Sequence, residues 1–514
     1  MSIPGYATQD STLSLAKNSK ARFNGDAYRT LGRTKLTISK IGFGTYRCHQ
    51  NNDSHFISLQ SAIQNGCNII DTSANYMDGL AESLIGDVLN QEIVWGKSQR
   101  EEIVLVSKVG YIQGQNMEIA QSKENDGKPF PDVVKYAPNV WHCIHPYFIK
   151  DQITRTLSRM HVDKIDVYLL HNPEYFLMDA AKKNPTIANS TINEFYNRIF
   201  QAFLEMENLV EQGLIRYYGI SANTFVLPVN RPGYISLSRI WEIYENVCAK
   251  KEISLEDGHF AVIQFPYNWI EHNAFTLKNN NYKGKSFTVL ELAKEFNLGV
   301  MVNRPLNAIQ GNKILRLARY GAKEGFDYSN QFTEDLKKLI GIENQIIDLI
   351  NQEKINIQIQ NDVDLIKIFK NAETLRRISL QEIDISQLNQ LVANYFIPLF
   401  KIGETTLLKK IQKEKQEKTK AMIEGYFTQF NSAALTLKNK LDNENYQNLK
   451  PLEKHFDELN NSSNNLTFSQ KALSVAADTP GVNVVLNGMH TQKYVDDSMK
   501  IMTLNDIHIE NIFV

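Results

Sequence analysis

Between residues 28 and 310, short apolar runs alternate with stretches whose apolar residues recur every three or four positions. Alternating or continuous apolar runs of four to eight residues predict strands, and the 3.6-residue repeat predicts helices. Tyr28 to Ser39 alternates around Gly32-Arg33 and predicts a short hairpin. Lys40–Tyr46, Asn68–Ser73, Glu102–Val109 and Ile165–His171 predict strands one to four. Tyr217–Ala222, Phe260–Asn268 and Gly299–Pro305 predict strands five to seven, and Gly481–Gly488 strand eight. Helices fall between them: one capped by Asp53 and stopped by Gly66, one over Gly79–Gln91, and one over Thr191–Gln212 with Gly213 beyond its end. Eight apolar strands alternating with helices imply an α/β fold of parallel strands buried on both faces. The expected architecture is a (β/α)₈ TIM barrel.

Two stretches exceed a minimal barrel. Tyr111–His145, with Gly114, Gly127, Pro129 and Pro131, reads as a long polar loop over the expected mouth. Between strands seven and eight, Leu336, Leu339, Ile340, Ile347 and Ile350 fall at helical spacing, and Leu407–Leu449 lacks proline and is rich in Lys, Glu, Gln and Leu. The division expected is a polar tail over 1–26, a barrel from 27–325 and 460–514, and a mainly helical insertion over 326–459. Within the insertion only Ile355, Ile357 and Ile359 alternate as a strand would.

Composition narrows the function. The chain of 514 residues has a formal net charge of −1, so no global field draws it to nucleic acid or an anionic membrane. The mixed-sign run from Lys409 to Lys418 reads as a solvated helix face. Met1–Asn24 lacks the apolar core of a secretion signal, and no apolar stretch approaches a bilayer span. Cys48, Cys67, Cys143 and Cys248 are scattered without paired spacing, as in reduced thiols; a cytoplasmic location is the expectation. Trp141-His142-Cys143-Ile144-His145 crowds metal-ligand types, but at no familiar zinc spacing, so no metal is expected; Trp141 and His145 are read as lining the mouth or pinning the loop.

The chemistry sits at strand ends. Asp71 closes strand two, Tyr76 follows in the next turn, Lys108 ends strand three and His171 ends strand four. Singly these are a turn residue, a snorkelling lysine and a core histidine. Together, at the end of a parallel barrel where strands converge, they make a proton-transfer device. A phenol with a reference pKa near 10 gives up its proton reluctantly; a neighbouring ammonium favours the tyrosinate. Lys108 is expected to lower the Tyr76 pKa, Asp71 to hold Lys108 charged, and His171 to orient a substrate oxygen.

The stretches Thr30-Leu31-Gly32-Arg33-Thr34, Ile41-Gly42-Phe43-Gly44-Thr45, Asp71-Thr72-Ser73-Ala74-Asn75-Tyr76, Val106-Ser107-Lys108, Leu170-His171-Asn172-Pro173 and Tyr218-Gly219-Ile220-Ser221 resemble the aldo-keto reductases. The resemblance runs from about residue 28 to 310 and from about 465 to 503. It implies reversible reduction of an aldehyde or ketone, a sugar among the candidates, with Tyr76 as general acid/base. It also implies NADPH as cofactor, with NADH the alternative. Asn172, Ser221, Asn223 and Gln264 are implied to hold the carboxamide, with Ala222 separating Ser221 from Asn223 where many relatives have Ser-Asn. Gly44, Thr45, Tyr46, Asp71, Asn303, Arg304, Pro305, Leu306, Gly488, His490, Thr491, Tyr494 and Asp497 complete the implied cofactor set.

Two departures touch that cofactor. Asn303-Arg304-Pro305-Leu306 stands where many relatives have Tyr-Ser-Pro-Leu, leaving Arg304 to replace the aromatic stack or meet a phosphate. Gly488-Met489-His490 stands for Gly-x-Arg, ahead of a helix start at Thr491 that offers free N–H groups. The competing reading is a nicotinamide-binding sensor that engages a protein partner through the insertion.

Overall fold

The protein is seen in a computed structural model that describes every residue except 1, 20, 25, 312, 320, 356, 357, 360–362, 382, 461–464, 506, 508, 510 and 514. Eight parallel strands close a barrel: β1 (Ile41–Gly44), β2 (Ile69–Asp71), β3 (Val104–Val109), β4 (Ile165–His171), β5 (Ile215–Ser221), β6 (Phe260–Pro266), β7 (Gly299–Asn303) and β8 (Val484–Asn487). β8 pairs back onto β1, so no edge is left.

Side chains alternate across a strand, so every second residue points into the barrel. Ile69, Val104, Val106, Val167, Leu169, Val262, Met301, Val484 and Leu486 form the apolar interior. Continuing the same parity towards the C-terminal ends brings Asp71, Lys108, His171, Gln264 and Asn303 to the inward face. The period-two pattern that fills the core therefore also aims the polar groups at one mouth.

The opposite end is plugged. The strands Tyr28–Thr30 and Thr37–Ser39 pair antiparallel, and Leu31, Leu36 and Ile38 join the interior cluster. Gly32 turns this hairpin at φ 48°, and a Cβ there would stand 2.2 Å from the Gly299 nitrogen, so glycine is required. The expected polar tail over 1–26 contains instead a helix, Gln9–Asn18, with Thr8 Oγ1 accepting from the Ser11 nitrogen at 3.1 Å. Ala7, Thr12 and Ala16 are buried. Small residues anchored by backbone hydrogen bonds leave no hydropathy signal, which is why composition misses this helix.

The expected loop Tyr111–His145 is also structured. Tyr111–Ile112, Val134–Ala137 and Val140–His142 form a three-stranded antiparallel sheet, and Gln115–Asn125 is a helix. Its glycines and prolines mark the turns between these elements rather than a continuous loop.

A second compact unit spans Asn307–His455. It opens with an antiparallel hairpin, Asn307–Gln310 with Lys313–Arg316, upstream of the Phe326 boundary expected from the sequence. Helices follow over Tyr328–Gln352, Ala372–Ser379, Ile385–Leu391, Ile397–Lys410 and Gln416–Leu459. Phe332, Leu336, Leu339, Ile346, Ile350, Phe396, Phe400, Tyr426 and Phe430 share one core. Ile340, assigned to the buried stripe from spacing, is exposed instead. A short strand pair, Gln358–Ile359 with Val363–Asp364, falls near the alternating isoleucines, of which Ile357 lies outside the described residues. Among the described residues no helix is long and apolar enough to cross a membrane.

Candidate active site

Parallel register sets the depth of the polar groups. Gly44 pairs with Asp71, Asp71 with Val106, Lys108 with Leu169, and His171 with Ser221, which pairs in turn with Gln264. Lys108 lies at the centre and is fully buried. Its Nζ donates to Asp71 Oδ2 at 2.7 Å, to the Thr72 carbonyl at 2.8 Å and to the Tyr76 hydroxyl at 3.2 Å. An ammonium has three protons to give, and all three are committed. The cation is thereby fixed against the phenol.

Burial pulls the Lys108 ammonium down, but the Asp71 carboxylate and the Tyr76 hydroxyl outweigh it and leave it above the ordinary lysine value. Tyr76 departs from the sequence expectation. Burial raises its phenol, and the opposing pull of Lys108 is insufficient, so it stays above the ordinary tyrosine value. Lys108 limits the rise without reversing it, and the site holds a protonated phenol ready to donate. His171 is held well below the ordinary histidine value by burial, with Lys108 and His142 adding to the effect, and is neutral.

The imidazole is oriented by neighbours that the sequence reading missed. Ser73 Oγ lies 3.0 Å from His171 Nδ1 and 2.7 Å from Asn75 Oδ1. When Ser73 donates to Nδ1, Nε2 carries the ring proton and can donate to a substrate oxygen. His142 Nε2 donates to the His171 carbonyl at 2.7 Å. Burial pushes His142 down to about 4 despite that bond. Tyr111 packs edge-on against His171 with ring centroids 4.7 Å apart and accepts from Asn172 Nδ2 at 2.9 Å. Tyr46, 64% exposed, stands edge-on to Tyr76 at 5.1 Å. Position immediately after β3 was the available signal for Tyr111, and a fixed offset within the Asp71–Tyr76 turn for Ser73.

The Tyr76 turn is strained. Met77 (φ 49°, ψ 36°) and Asp78 (φ 57°, ψ 41°) both adopt left-handed conformations. Such non-glycine positions cost roughly 1–3 kcal/mol each and persist only where their surroundings impose them.

The implied cofactor residues divide into two groups. Gln264 Nε2 donates to Asp71 Oδ1 at 2.8 Å, while Ser221 Oγ and Asn303 Nδ2 donate to Gln264 Oε1 at 3.0 and 3.1 Å. Strands β5, β6 and β7 are thus linked to the Asp71–Lys108 pair. Asn303 Oδ1 is buried with no hydrogen-bond partner, an acceptor that suits an amide N–H donor such as a carboxamide. Ser221 lies in the strand, Ala222 is buried, and Asn223 is exposed in the following turn; of these, the structure turns Ser221 towards Gln264. The Asn223 nitrogen donates to Glu174 Oε1 at 2.8 Å. Thr45 is buried, its nitrogen and hydroxyl both donating to the Asp71 carbonyl. Gly44 precedes it at the end of β1.

The second group matches expectation less well. The Arg304 guanidinium is 3.3 Å from Glu271, so it meets a carboxylate where a phosphate or a nicotinamide stack was expected. Pro305 and Leu306 are buried behind it. Both Asp497 oxygens accept from hydroxyls, Oδ1 from Thr467 at 2.9 Å and Oδ2 from Ser469 at 2.6 Å, which ties it to the start of the preceding helix and turns it from the assigned cofactor role. Gly488 is exposed, and Thr491 caps the helix Gln492–Met499 in extended conformation without a side-chain bond to it. His490 sits edge-on to Tyr494, with centroids 5.0 Å apart, and 6.0 Å from the His55 ring. Trp141 is buried beneath Lys135, and His145 Nδ1 accepts from the Tyr147 nitrogen at the start of the next helix; these two residues pin the segment. Among the described residues no group of three or more His, Cys, Asp or Glu side chains is arranged to hold a metal ion.

Comparison with known proteins follows the same motifs. The model of the aldo/keto reductase family matches residues 40–229. The uncharacterized oxidoreductase YqkF of Bacillus subtilis is 24% identical over 278 residues, covering 52% of this chain and 76% of that protein. The NADH-specific methylglyoxal reductase of Escherichia coli is 27% identical over 149 residues, 27% of this chain and 40% of that protein. Among solved structures, the holo form of the aldo-keto reductase AKR11C1 from Bacillus halodurans aligns over 95% of this chain and 94% of its own, at 16% identity and a TM-score of 0.46.

Proposed function

Because the chain belongs to the aldo/keto reductase family, we propose that it reversibly reduces a small aldehyde or ketone with a nicotinamide cofactor, using Tyr76 as the proton donor. The single observation that carries the reading is the Lys108 ammonium, buried and donating at once to Asp71 and Tyr76. The bound cofactor supplies a hydride to the carbonyl carbon. Gln264, Ser221 and Asn303 would hold its carboxamide, and the helix beginning at Gln492 its phosphate end, with His490 alongside. NADPH is the cofactor expected first. NADH is the alternative, supported by the NADH-specific relative.

His171 Nε2–H donates to the carbonyl oxygen and aligns it with the Tyr76 hydroxyl, the two rings lying 5.9 Å apart. As negative charge grows on that oxygen, Tyr76 passes its proton across. Lys108 then stabilises the tyrosinate left behind, and Asp71 keeps the ammonium charged and aimed. In the oxidative direction the tyrosinate takes the alcohol proton back. A neutral His171 suits this role, because an imidazolium beside Lys108 would place two cations in a buried site.

Methylglyoxal and xylose serve as probe substrates while absorbance at the reduced-nicotinamide band is followed. Tyr76→Phe keeps the ring and its packing but removes the proton. It is expected to bind NADPH normally and to lose turnover by roughly 10²–10⁴-fold, the usual worth of a positioned general acid. Near-wild-type turnover in that variant removes Tyr76 from the mechanism.

A further inference from the structure

The segment between β3 and the helix Pro146–Met160 is an extra layer that a minimal barrel does not need, and its contacts concentrate on the residues that move protons. Its turn Gln113-Gly114-Gln115 grips the Tyr76 turn on both sides of the tyrosine. On the near side Asn75 Nδ2 donates to Gln113 Oε1 at 3.0 Å. On the far side the Gln115 nitrogen, first in the helix Gln115–Asn125, donates to Asp78 Oδ1 at 2.9 Å. Gly114 (φ 52°) lies between, so close that a Cβ there would stand 2.1 Å from Asp78 Oδ1.

We propose that this turn is a clamp that sets the position of the Tyr76 hydroxyl, with Asp78 as its positioning residue. The inference rests on the reading of Tyr76 as proton donor. Two observations support it beyond the contacts themselves. The left-handed Met77-Asp78 pair that follows Tyr76 needs an outside constraint to persist, and the Asp78–Gln115 bond supplies one at the second of those residues. The same segment also holds the other proton-handling group, through His142 to the His171 carbonyl and Tyr111 to Asn172. One rigid layer therefore fixes the phenol and the imidazole relative to each other. Displacements of about 1 Å in such an arrangement cost up to about 10²-fold in rate.

A plain helix cap at Asp78 would affect stability and leave chemistry alone, so the test separates the two. Asp78→Ala, Asp78→Asn, Gly114→Ala, Gln113→Ala and the double variant Asp78→Ala/Gly114→Ala are compared with Tyr76→Phe, using the full chain, NADPH and methylglyoxal. Asp78→Ala is expected to lower kcat about tenfold or more while the KM for NADPH changes less than twofold. Asp78→Asn should restore most of it, because its Oδ1 still accepts. The pH profile of kcat should shift upward in Asp78→Ala, since a phenol displaced from Lys108 loses the cation that opposes its rise.

Gly114→Ala should act like Asp78→Ala, and the double variant should lose less than the product of the two. The atoms within 3.0 Å of the added Cβ all belong to the Asp78 carboxylate. Should the Asp78 and Gly114 variants fold poorly, Gln113→Ala removes only the outer hydrogen bond and is expected to cost a few-fold in kcat. If Tyr76→Phe is inactive while all clamp variants keep wild-type kcat and pH profile, whatever their melting temperatures, the clamp is overturned and the role of Tyr76 stands. If Tyr76→Phe is active, the underlying reading fails first.

Discussion

The two ends of β4 carry polar groups in opposite conditions. Near its start, Asp166 is completely buried and its carboxylate is saturated: Oδ1 accepts from the Ala7 nitrogen at 2.6 Å, and Oδ2 from the Leu105 nitrogen and Arg100 Nη2, both at 2.8 Å. Just past its other end, Glu174 is equally buried, yet only Oε1 is hydrogen-bonded and Oε2 has no partner. Burial pushes Glu174 up to about 8, against the hydrogen bonds from its own and the Asn223 nitrogens. One strand thus joins a finished ionic lock to an unfinished polar site. The closed end of the barrel uses its buried charge to staple the N-terminal segment, β3 and β4 together. The open end keeps unsatisfied acceptors where a cofactor and substrate are expected to bind.

If that contrast is real, removing Asp166 is a stability lesion and nothing else. Asp166→Ala strands the Arg100 guanidinium and the Ala7 and Leu105 nitrogens, and loss of one partner of a buried pair costs about 3–5 kcal/mol. Chemical denaturation should show a lowered midpoint, while kcat per folded molecule stays near wild type. A large loss of kcat with an unchanged midpoint would erase the distinction between the two ends.

Glu174 sharpens the comparison through pH. A carboxyl whose folded-state value is raised binds its proton more tightly in the native chain than in the unfolded one. The stability this contributes is fully present below about 4.5 and is lost as pH rises through about 8. Glu174→Gln keeps an acceptor for the Asn223 nitrogen and cannot ionise. Its stability should match wild type near pH 5 and exceed it near pH 8, by an amount on the order of a few kcal/mol. Parallel pH profiles for the two proteins would show that Glu174 is not held neutral by its burial.

How much of this was legible in the chain follows from what each signal measures. β1 to β8 are buried on both faces, so their apolar runs stand out, and Asp71, Lys108 and His171 are visible as the charged or polar residue that ends each run. The helix Gln9–Asn18 and the sheet built on Tyr111–His142 were hidden, because their stability comes from contacts distant in sequence, such as the Ala7 nitrogen on Asp166. The helical unit was visible in kind but not in detail. Along Tyr328–Gln352 the buried positions are Phe332, Leu336, Leu339, Ile346 and Ile350, a spacing near 3.5 that leaves Ile340 outside. In the site, residue types announced the proton-transfer set, whereas the sense of the Tyr76 shift depended on burial that no local pattern encodes. Arg304 and Asp497 were misassigned for a related reason: their partners, Glu271, Thr467 and Ser469, lie about 30 residues away in the chain.

The smallest expected effect concerns the outer rim of the open end. His490 occupies the position where the family resemblance implies an arginine, beside the start of the helix Gln492–Met499. An imidazole carries charge only over part of the physiological range, whereas a guanidinium is charged throughout and grips a phosphate bidentately. His490→Arg should therefore tighten NADPH by up to about tenfold, an amount consistent with one added charge-assisted contact at a half-exposed position. NADH, which lacks the 2′-phosphate, should bind as before. The gain should be greater at pH 8 than at pH 6, where the imidazole is itself more often charged. Fluorescence titration with both cofactors at the two pH values measures all four affinities directly. Equal tightening of NADPH and NADH would place His490 away from the 2′-phosphate and leave the helix start without the discriminating role assigned to it.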